Sequence, residues 1–371
     1  MVIVYFLKKG FQFFPPCLAQ VLYLKELGAE LEIYHGKNST YIDTLFDNLH
    51  LIHHELKSDG LKNGKIETVK KMIKYRKEAK NIVQNIPKER LLWFGNCESL
   101  IPLNDCLNGR KFVASILELY DDQKLIDELL KRVLPKAAIV LCCERHRAMI
   151  MRGRYQLKKS PFVMPNKAYA IEEENADGGS FNTIDKEIRD KIERYKDCRV
   201  VLYQGIISRD RPLSSIARAL ASIGNPKVVF WIMGKGDLQL IEEVKSIYSN
   251  TVYFGYVPSP QHMIVTQYAH IGIANYDYSN LNNIFCAPNK IYEYSKFGMP
   301  MLTSDNIGLT ETVGAAKAAE CVDFSNEDAI CDGLSKILDD YETYHENALE
   351  FYRQTNNRGV MEEIYEELVS L

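Results

Sequence analysis

Short hydrophobic runs alternate with amphipathic segments along most of the chain. Residues 2–6 are apolar and predict a first strand, and residues 30–34 predict a second one. Between them, residues 15–27 have the spacing of a helix that Gly28 ends. Strands that are buried on both faces are typical of parallel sheets covered by helices, so this spacing predicts a βαβ unit at the start of the chain.

The same alternation continues through the rest of the chain, with one interruption. Further strands are predicted at residues 91–94, 112–116, 138–141, 162–166, 199–203, 228–233, 252–255, 271–274 and 301–303. The interruption is a polar stretch at residues 172–185, with Asp-Gly-Gly-Ser at its centre, which is typical of a linker. Residues 328–371 are predicted to be mostly helical.

These segments predict an α/β protein of two Rossmann-like domains that face each other across a cleft. We place the amino-terminal domain at residues 1–170, a linker region at 171–197 and the carboxyl-terminal domain at 198–355. Residues 356–371 form a last helix, which we expect to pack back on the amino-terminal domain. Ligands of such folds bind beyond the carboxyl ends of the strands, so we expect a ligand in the cleft.

The composition is that of a folded protein without a general affinity for nucleic acid. The chain has 371 residues, of which 46% are hydrophobic and 26% charged, and its formal net charge is −3. A secretion signal has positive charges before its apolar stretch, and the apolar start of this chain has none before it. No apolar run approaches the roughly 18 residues of a membrane span. The nine cysteines are scattered and odd in number, which indicates reduced thiols. We therefore expect a cytoplasmic protein.

The segment 287–300, Ala-Pro-Asn-Lys-Ile-Tyr-Glu-Tyr-Ser-Lys-Phe-Gly-Met-Pro, is the most informative part of the sequence. Pro288 and Asn289 are typical of a helix start, with Asn289 as the expected cap, and the final Gly-Met-Pro is typical of a helix end. The free N–H groups of a helix start attract anions, and Lys290 adds a positive charge in the same turn. Glu293, one turn further, can bind a sugar hydroxyl beside that anion. The pattern predicts a nucleotide-diphosphate site, although a capped helix without a ligand has the same spacing.

A second segment, residues 202–213, predicts a buried strand, a glycine and a basic loop before a helix. Gly205 at the strand end allows the backbone to approach a ligand closely. Arg209 and Arg211 follow in the loop, and the guanidinium fork of arginine suits phosphate. Two solvated loop arginines are the alternative interpretation.

Together these segments resemble GT-B glycosyltransferases of family four, especially those that build bacterial surface polysaccharides. The signature helix of that family commonly has Pro-Asn-Lys, Glu-Tyr and Gly-x-Pro. The residues that match it in type and spacing are Lys290, Glu293, Gly298 and Pro300. The resemblance implies that Glu293 holds the donor ribose and that the helix start at Pro288 faces the diphosphate.

The resemblance extends to other loops on the donor side. It implies that Arg211, and to a lesser degree Arg209, pairs with the diphosphate, and that Gly234 lies in a Gly-x-Gly turn before a helix. Tyr256 and Val257 match the loop that meets the nucleotide base. The full set of donor-binding residues implied in this way is Gly205, Arg209, Arg211, Gly234, Tyr256, Val257, Pro288, Asn289, Lys290, Ile291 and Glu293.

Two positions depart from the family pattern, and the amino-terminal half matches it only in outline. Phe285 stands where many members have a second glutamate, and Leu117 stands where relatives often have a histidine near the reacting sugar. On the acceptor side, Gly10 matches a glycine-containing loop and Glu118 matches the carboxylate after that histidine. The departures leave the contacts to the donor sugar and to the acceptor open.

The implied activity is a retaining, metal-independent transfer of a sugar from a nucleotide-diphosphate sugar, preferably a UDP-sugar, to a glycan or lipid-linked acceptor. The implied catalytic residues are Arg211, Lys290 and Glu293, which stabilise the departing diphosphate and hold the donor. We expect no cofactor and no metal, because the sequence lacks Asp-x-Asp and His-Glu-x-x-His and places no histidine at ligand spacing from a carboxylate.

Residues 57–80 are strongly basic, with nine lysines and arginines against three acidic residues. Val69, Met72 and Ile73 define one face of a predicted helix, and a basic amphipathic helix can lie on an anionic membrane surface. We therefore expect peripheral contact with the inner face of the membrane, and no nucleic-acid partner. A solvated outer helix is the alternative.

Three other functions fit parts of the pattern. A nucleotide-sugar 2-epimerase shares this fold but needs acid and base carboxylates, and no compelling pair is visible. A catalytically silent GT-B partner subunit is consistent with Phe285 and Leu117. An α/β protein that binds a nucleotide for another purpose is the third.

Overall fold

The computed structural model describes residues 1–57, 65–170, 181 and 184–370. It divides into two compact units, one made of Met1–Tyr169 with Asn356–Leu371 and the other of Ala170–Thr355. Each unit has its own parallel sheet and its own hydrophobic core.

The first unit is built on a seven-stranded parallel sheet. Its strands are β1 (Val2–Leu7), β2 (Glu30–His35), β3 (Ile52–Glu55), β4 (Leu91–Phe94), β5 (Phe112–Ser115), β6 (Ile139–Cys142) and β7 (Phe162–Val163). They are ordered β3-β2-β1-β4-β5-β6-β7, and all neighbours are parallel. The order reverses between β1 and β4, which makes that point a topological switch.

The second unit is built on a six-stranded parallel sheet. Its strands are β8 (Arg199–Gln204), β9 (Val228–Met233), β10 (Thr251–Gly255), β11 (Ile271–Ala274), β12 (Met301–Ser304) and β13 (Ala319–Val322). They are ordered β10-β9-β8-β11-β12-β13, so this sheet reverses between β8 and β11. The loops after these two central strands therefore diverge and leave a crevice at the carboxyl edge of the sheet.

Helices connect the strands in both units. They are α1 (Pro15–Glu26), α2 (Thr40–Asn48), α3 (Lys65–Asn85), α4 (Cys97–Leu100), α5 (Lys124–Val133), α6 (Arg145–Arg154), α7 (Lys186–Arg194), α8 (Leu213–Ile223), α9 (Leu238–Ile247), α10 (His262–Thr266), α11 (Leu281–Ile284), α12 (Asn289–Lys296), α13 (Ile307–Leu309), α14 (Glu327–Asp339), α15 (Tyr341–Gln354) and α16 (Asn357–Ser370). None of the helices that the structure describes combines the length and hydrophobicity needed to cross a bilayer.

Both sheets bury hydrophobic residues on both faces, as parallel sheets do. On β8, Val200 and Leu202 belong to one core cluster, whereas Val201 and Tyr203 belong to the cluster on the other face. The prediction of two Rossmann-like α/β domains is thus confirmed. The strands β3 and β13, which the pattern did not predict, are both edge strands, and β3 is mostly exposed.

The region predicted as a linker, residues 171–197, contains a helix, α7. Asp185 caps this helix by accepting a hydrogen bond from the backbone N–H of Glu187 at 2.8 Å. Ile184, Ile188 and Ile192 recur every fourth residue and pack into the core of the second unit. The sequence analysis did not identify this four-residue spacing of isoleucines because most of the residues around them are charged. The predicted Asp-Gly-Gly-Ser centre of the linker, residues 177–180, lies outside the described residues.

Candidate functional site

Three glycines join the loops that follow β8 and β9. Gly205, Gly234 and Gly236 have φ angles of +145°, +155° and +152°, which side-chain-bearing residues rarely adopt. A Cβ on Gly234 would lie 1.7 Å from the carbonyl oxygen of Gly205, and one on Gly236 would lie 1.8 Å from that of Ile207. The two loops can therefore approach this closely only because the sequence has glycine at these positions.

The helix α12 begins beside this junction. Its cap residue is Pro288, in an extended conformation, and the helix starts at Asn289, so the prediction of Asn289 as the cap is wrong by one residue. The preceding proline fixes the extended entry, which leaves Asn289 as the first helical residue. No side chain caps the helix and its first turn has no acidic residue, so its N–H groups and the positive end of its dipole are available to an anion.

Lys290 extends from the first turn of α12 towards the glycine junction. Its ammonium nitrogen lies 5.1 Å from the centre of the Tyr203 ring and would be 2.9 Å from a Cβ on Gly205. Burial, together with the positive charge of Arg211, lowers the pKa of Lys290 to about 8, and the carboxylate of Glu293 offsets only part of this effect. An anion bound here would relieve the destabilisation of the ammonium.

Arg211 and Arg209 point to different surroundings, although they are two residues apart. Arg211 is largely buried, donates a hydrogen bond to the carbonyl of Asn275 at 3.1 Å and lies 5.6 Å from the ring of Tyr276. Arg209 is 61% exposed and forms ion pairs with the carboxylates of Glu243 at 3.2 Å and Asp237 at 3.4 Å. The structure therefore places the charge of Arg211 near Lys290, whereas Arg209 lines the same cavity as Arg211 but is paired with two carboxylates.

The Glu293 carboxylate is held by two residues that the sequence did not identify. Gln204 donates its amide N–H to one oxygen, and His262 lies 3.6 Å from the other. Thr266 donates to the amide oxygen of Gln204 at 2.8 Å, which fixes the orientation of the amide. Burial raises the pKa of Glu293, but His262, Lys290 and Gln204 outweigh this and lower it below its ordinary value, so the carboxylate stays ionised. Gln204 could have been identified from the sequence, because it is a polar residue at the end of an otherwise apolar strand. No feature of the sequence indicated His262.

The remaining predicted donor-side residues divide into exposed and buried side chains. Tyr256 is 53% exposed, and the ammonium of Lys235 lies 3.7 Å from its ring centre. Val257 is 5% exposed and Ile291 is fully buried, so these two can reach a ligand only through their backbone. A flat ring at the edge of the crevice can stack on a base.

A cavity of about 440 Å³ adjoins Arg211 at the carboxyl edge of the sheet. This volume lies within the range of small-molecule sites, roughly 300–1,000 Å³. Its lining includes Asn275 and Ser304, both loop arginines and five acidic residues, which are Asp210, Glu243, Asp277, Asp305 and Asp323. The carboxylates outnumber the two arginines, so this cavity suits the hydroxyl groups of a ligand, and the anion site lies at Lys290 and the start of α12, outside the lining.

The two residues predicted on the acceptor side, Gly10 and Glu118, belong to the first unit. Gly10 is buried, and a Cβ there would lie 2.2 Å from the carbonyl oxygen of Lys37. Glu118 is exposed after β5. Their roles towards an acceptor stay predictions.

The comparison with family models concerns the second unit. Residues 184–351, which include the whole site around Arg211, Lys290 and Glu293, match the family described as Glycosyl transferases group 1. No curated protein sequence matches the chain.

Solved structures are similar over the full length of the chain. A sucrose-phosphate synthase from Thermosynechococcus elongatus has 14% identity and a TM-score of 0.67, with 100% of both chains covered. Anabaena HepE in complex with UDP has 14% identity, a TM-score of 0.65 and the same coverage. A UDP-GlcNAc 2-epimerase from Neisseria meningitidis bound to UDP-GlcNAc has 10% identity and a TM-score of 0.68, again with 100% of both chains covered. The chain thus has the GT-B fold, and its residues 184–351 match the glycosyl transferases group 1 family.

Proposed function

We propose that the protein is a retaining, metal-independent glycosyltransferase that uses a nucleotide-diphosphate sugar, as in family four. The observation that carries the proposal is the convergence of Arg211, Lys290 and the start of α12 beside Gly205, with the Glu293 carboxylate one turn further. Two cations and a helix dipole match a diphosphate, and a fixed carboxylate matches the hydroxyls of a ribose.

In this reaction the bond between the anomeric carbon and the diphosphate oxygen breaks, and its electron pair stays on the diphosphate. A bond to the acceptor hydroxyl oxygen forms in its place, and the hydroxyl proton leaves with the diphosphate. Arg211, Lys290 and the N–H groups at Asn289 stabilise the charge that develops on the leaving group. Glu293 orients the donor, and it does so as a carboxylate because His262 and Gln204 keep it ionised.

We propose UDP as the nucleotide of the donor. HepE and the 2-epimerase of the same fold were solved with UDP and UDP-GlcNAc, respectively. The base would lie on Tyr256, with the backbone of Val257 at its edge. We expect Gly205 and Gly234 to let the diphosphate approach the backbone.

The donor site is tested by calorimetry and thermal shift with UDP, GDP and their sugar conjugates. A ligand at 100 times its Kd adds about 2.7 kcal/mol to the stability of the folded state, which is a readily measured shift. We expect UDP compounds to stabilise the protein and Glu293→Ala to abolish the effect. No stabilisation by any nucleotide would favour the silent partner subunit.

The chemistry is tested by NMR of the purified chain with a UDP-sugar, an acceptor and a chelator. Release of UDP together with a product of the donor's anomeric configuration supports retaining, metal-independent transfer. Conversion of the UDP-sugar at C2 without release of UDP would instead identify a 2-epimerase, the function of one structural neighbour.

For the acceptor we propose a glycan or a lipid-linked glycan of bacterial surface polysaccharide or glycoconjugate synthesis, reached from the cytoplasmic face of the membrane. Val69 and Ile73, one turn apart on α3, are 59% and 62% exposed, and Lys70 lies between them. Exposed apolar side chains among lysines suit an anionic bilayer. Lys62 lies outside the described residues, and Arg76 and Lys80 are paired with Asp105.

The membrane contact is tested by flotation with vesicles of phosphatidylglycerol and with vesicles of phosphatidylcholine. We expect binding to the anionic vesicles only, and its loss in the double variant Val69→Ser, Ile73→Ser. Equal flotation of the variant and the original chain would contradict a contact through α3. Leu125→Ser, at a 75% exposed position on α5, is the matched control.

A further inference from the structure

Two histidines and an aspartate meet in the first unit, far along the chain from the residues of the proposed donor site. His35 ends β2, His53 lies on the neighbouring β3, and Asp43 lies on α2, which follows β2. Their candidate ligand atoms all lie within 4.8 Å of one another. His35 is only 1% exposed and the other two residues are half-buried, so the cluster is built into the fold.

The hydrogen bonds of the two rings leave two ring nitrogens facing each other. The Nδ1 of His35 faces the carbonyl oxygen of Gly36 at 2.7 Å, and the Nε2 of His53 faces a carboxylate oxygen of Asp47 at 3.2 Å. With a hydrogen on each of these nitrogens, the Nε2 of His35 and the Nδ1 of His53 are lone pairs that face each other at 2.9 Å. Asn38 donates its amide N–H to the Nε2 of His35 at 3.4 Å. A metal ion can take the place of that contact and bind both lone pairs.

The outer contacts are those that support metal-bound imidazoles. Metal-ligating histidines typically donate their other N–H to a carbonyl or a carboxylate, and here one ring donates to Gly36 and the other to Asp47. Asn38 donates to a carboxylate oxygen of Asp43 at 3.0 Å, which orients that side chain towards the rings.

We propose that His35, His53 and Asp43 bind a divalent transition-metal ion, with Zn²⁺ as the best fit. Two imidazoles and one carboxylate are ligands that Zn²⁺ prefers, and water can occupy the fourth position. Zn²⁺ bonds of about 2.1 Å place tetrahedral ligand atoms roughly 3.4 Å apart. The two ring nitrogens, now 2.9 Å apart, would move slightly away from each other to reach this spacing. The carboxylate of Asp43, within 4.8 Å of both nitrogens, would move towards them.

The ion would brace the amino-terminal loop of the first unit. The ion would join β2, β3 and α2 directly. Asn38, which donates to Asp43, connects them to the amino-terminal loop by accepting a hydrogen bond from the N–H of Phe11 at 2.9 Å. Gln12 adds bonds to the carbonyl of Lys37 at 3.0 Å and from the N–H of Ser39 at 3.2 Å. The role is therefore structural, and it is independent of whether the donor site is catalytic.

The test uses the full chain without an affinity tag, after treatment with a chelator. Zn²⁺ is titrated in competition with a chromophoric chelator, and Tm is measured with and without the ion. We expect one tight ion per chain and a rise in Tm. With Co²⁺ we expect the strong visible bands of a four-coordinate site and no thiolate charge-transfer band, because the proposed ligands include no cysteine.

Variants of the ligands and a control on β3 separate this site from adventitious binding. His53→Ala and Asp43→Asn should abolish tight binding and the rise in Tm, and Asp47→Asn should weaken binding by roughly 10–100-fold. His54→Ala is the matched control, because His54 follows on the opposite face of β3, is exposed and stacks on Tyr34 at 4.9 Å. Circular dichroism verifies that each variant is folded.

Three outcomes would overturn the proposal. The first is the absence of tight binding to the folded original chain, which would leave a hydrogen bond between the two rings. The second is binding that survives in both His53→Ala and Asp43→Asn. The third is a thiolate band in the Co²⁺ spectrum, which would place the ion on cysteines.

Discussion

At the scale of single residues, the proposed donor site concentrates positive charge where burial disfavours it. Lys290 has a pKa lowered to about 8 by burial and by the charge of Arg211, and the carboxylate of Glu293 compensates only in part. A site with this imbalance gains most by binding an anion, because the anion replaces the missing negative charge.

The first prediction concerns pH. Only the ammonium form of Lys290 attracts a diphosphate, so UDP affinity should be highest below pH 8 and fall as the pH rises through about 8. The loss should reach at most about tenfold at pH 9. Calorimetry between pH 7 and 9.5 measures it. In Lys290→Met the affinity should be lower and independent of pH in this window, and a persisting decline in that variant would assign the effect to another group.

The second prediction separates the two loop arginines. Arg211→Ala removes a largely buried charge at the diphosphate and should lower kcat/KM by about tenfold to a few hundredfold. Arg209→Ala should cost several times less, because the Arg209 guanidinium is exposed and already paired with Glu243 and Asp237. Steady-state kinetics with a UDP-sugar compares them, and equal losses would contradict the assignment.

At the scale of elements, the site depends on how closely two loops approach each other. The loops after β8 and β9 exchange backbone hydrogen bonds, from Gly205 N–H to Met233 at 2.9 Å and from Ile207 N–H to Lys235 at 2.8 Å. These hydrogen bonds hold Gly205 next to Lys290. The backbones of the loops after β8 and β9 therefore set the geometry of the anion site.

The third prediction follows from this junction. In Gly234→Ala the new Cβ would meet the carbonyl oxygen of Gly205 at 1.7 Å, in a backbone conformation that alanine rarely adopts. The free energy of unfolding should fall by about 2 kcal/mol or more, and UDP affinity should fall as well. Urea unfolding measures the first effect. Gly153→Ala on α6, where a Cβ meets nothing within 4 Å, is the matched control and should leave stability unchanged or raise it by up to about 1 kcal/mol.

At the scale of the whole molecule, the last helix belongs to the first unit although the second unit precedes it in sequence. On α16, Met361 and Ile364 are fully buried and Leu368 is 4% exposed, all within the core of the first unit. Asn357 anchors the start of the helix by donating to the carbonyl oxygens of Pro165 at 2.8 Å and Lys167 at 3.0 Å.

The fourth prediction uses the two tryptophans, of which Trp93 lies in the first unit and Trp231 in the second. Ile364→Ala should destabilise the first unit by about 2–5 kcal/mol, as a large-to-small change in a core does. In variants that keep only Trp93 or only Trp231, urea unfolding should show the larger shift at Trp93. Glu363→Ala, at the exposed neighbouring position, is the control. A larger shift at Trp231 would contradict the placement of α16.

The sequence by itself determined the features that depend on neighbours in the chain. Apolar runs and helical spacing predicted the two α/β domains, because burial of a strand or a helix face imposes a period on its own residues. Proline, asparagine and glycine around α12 predicted its start and end for the same reason, although the cap lies at Pro288 and not at Asn289. The strands β3 and β13 escaped prediction because their sequences, Ile-His-His-Glu and Ala-Glu-Cys-Val, lack the apolar run of a buried strand.

Only the tertiary structure decided which side chains meet. It selected Arg211 over Arg209, placed Gln204 and His262 on Glu293, and joined His35, Asp43 and His53, which the sequence spacing did not connect. The Gln204 and Glu293 side chains come from positions 89 residues apart. Such contacts follow from strand order and register, which are set by packing between distant segments and leave no periodic signal along the chain.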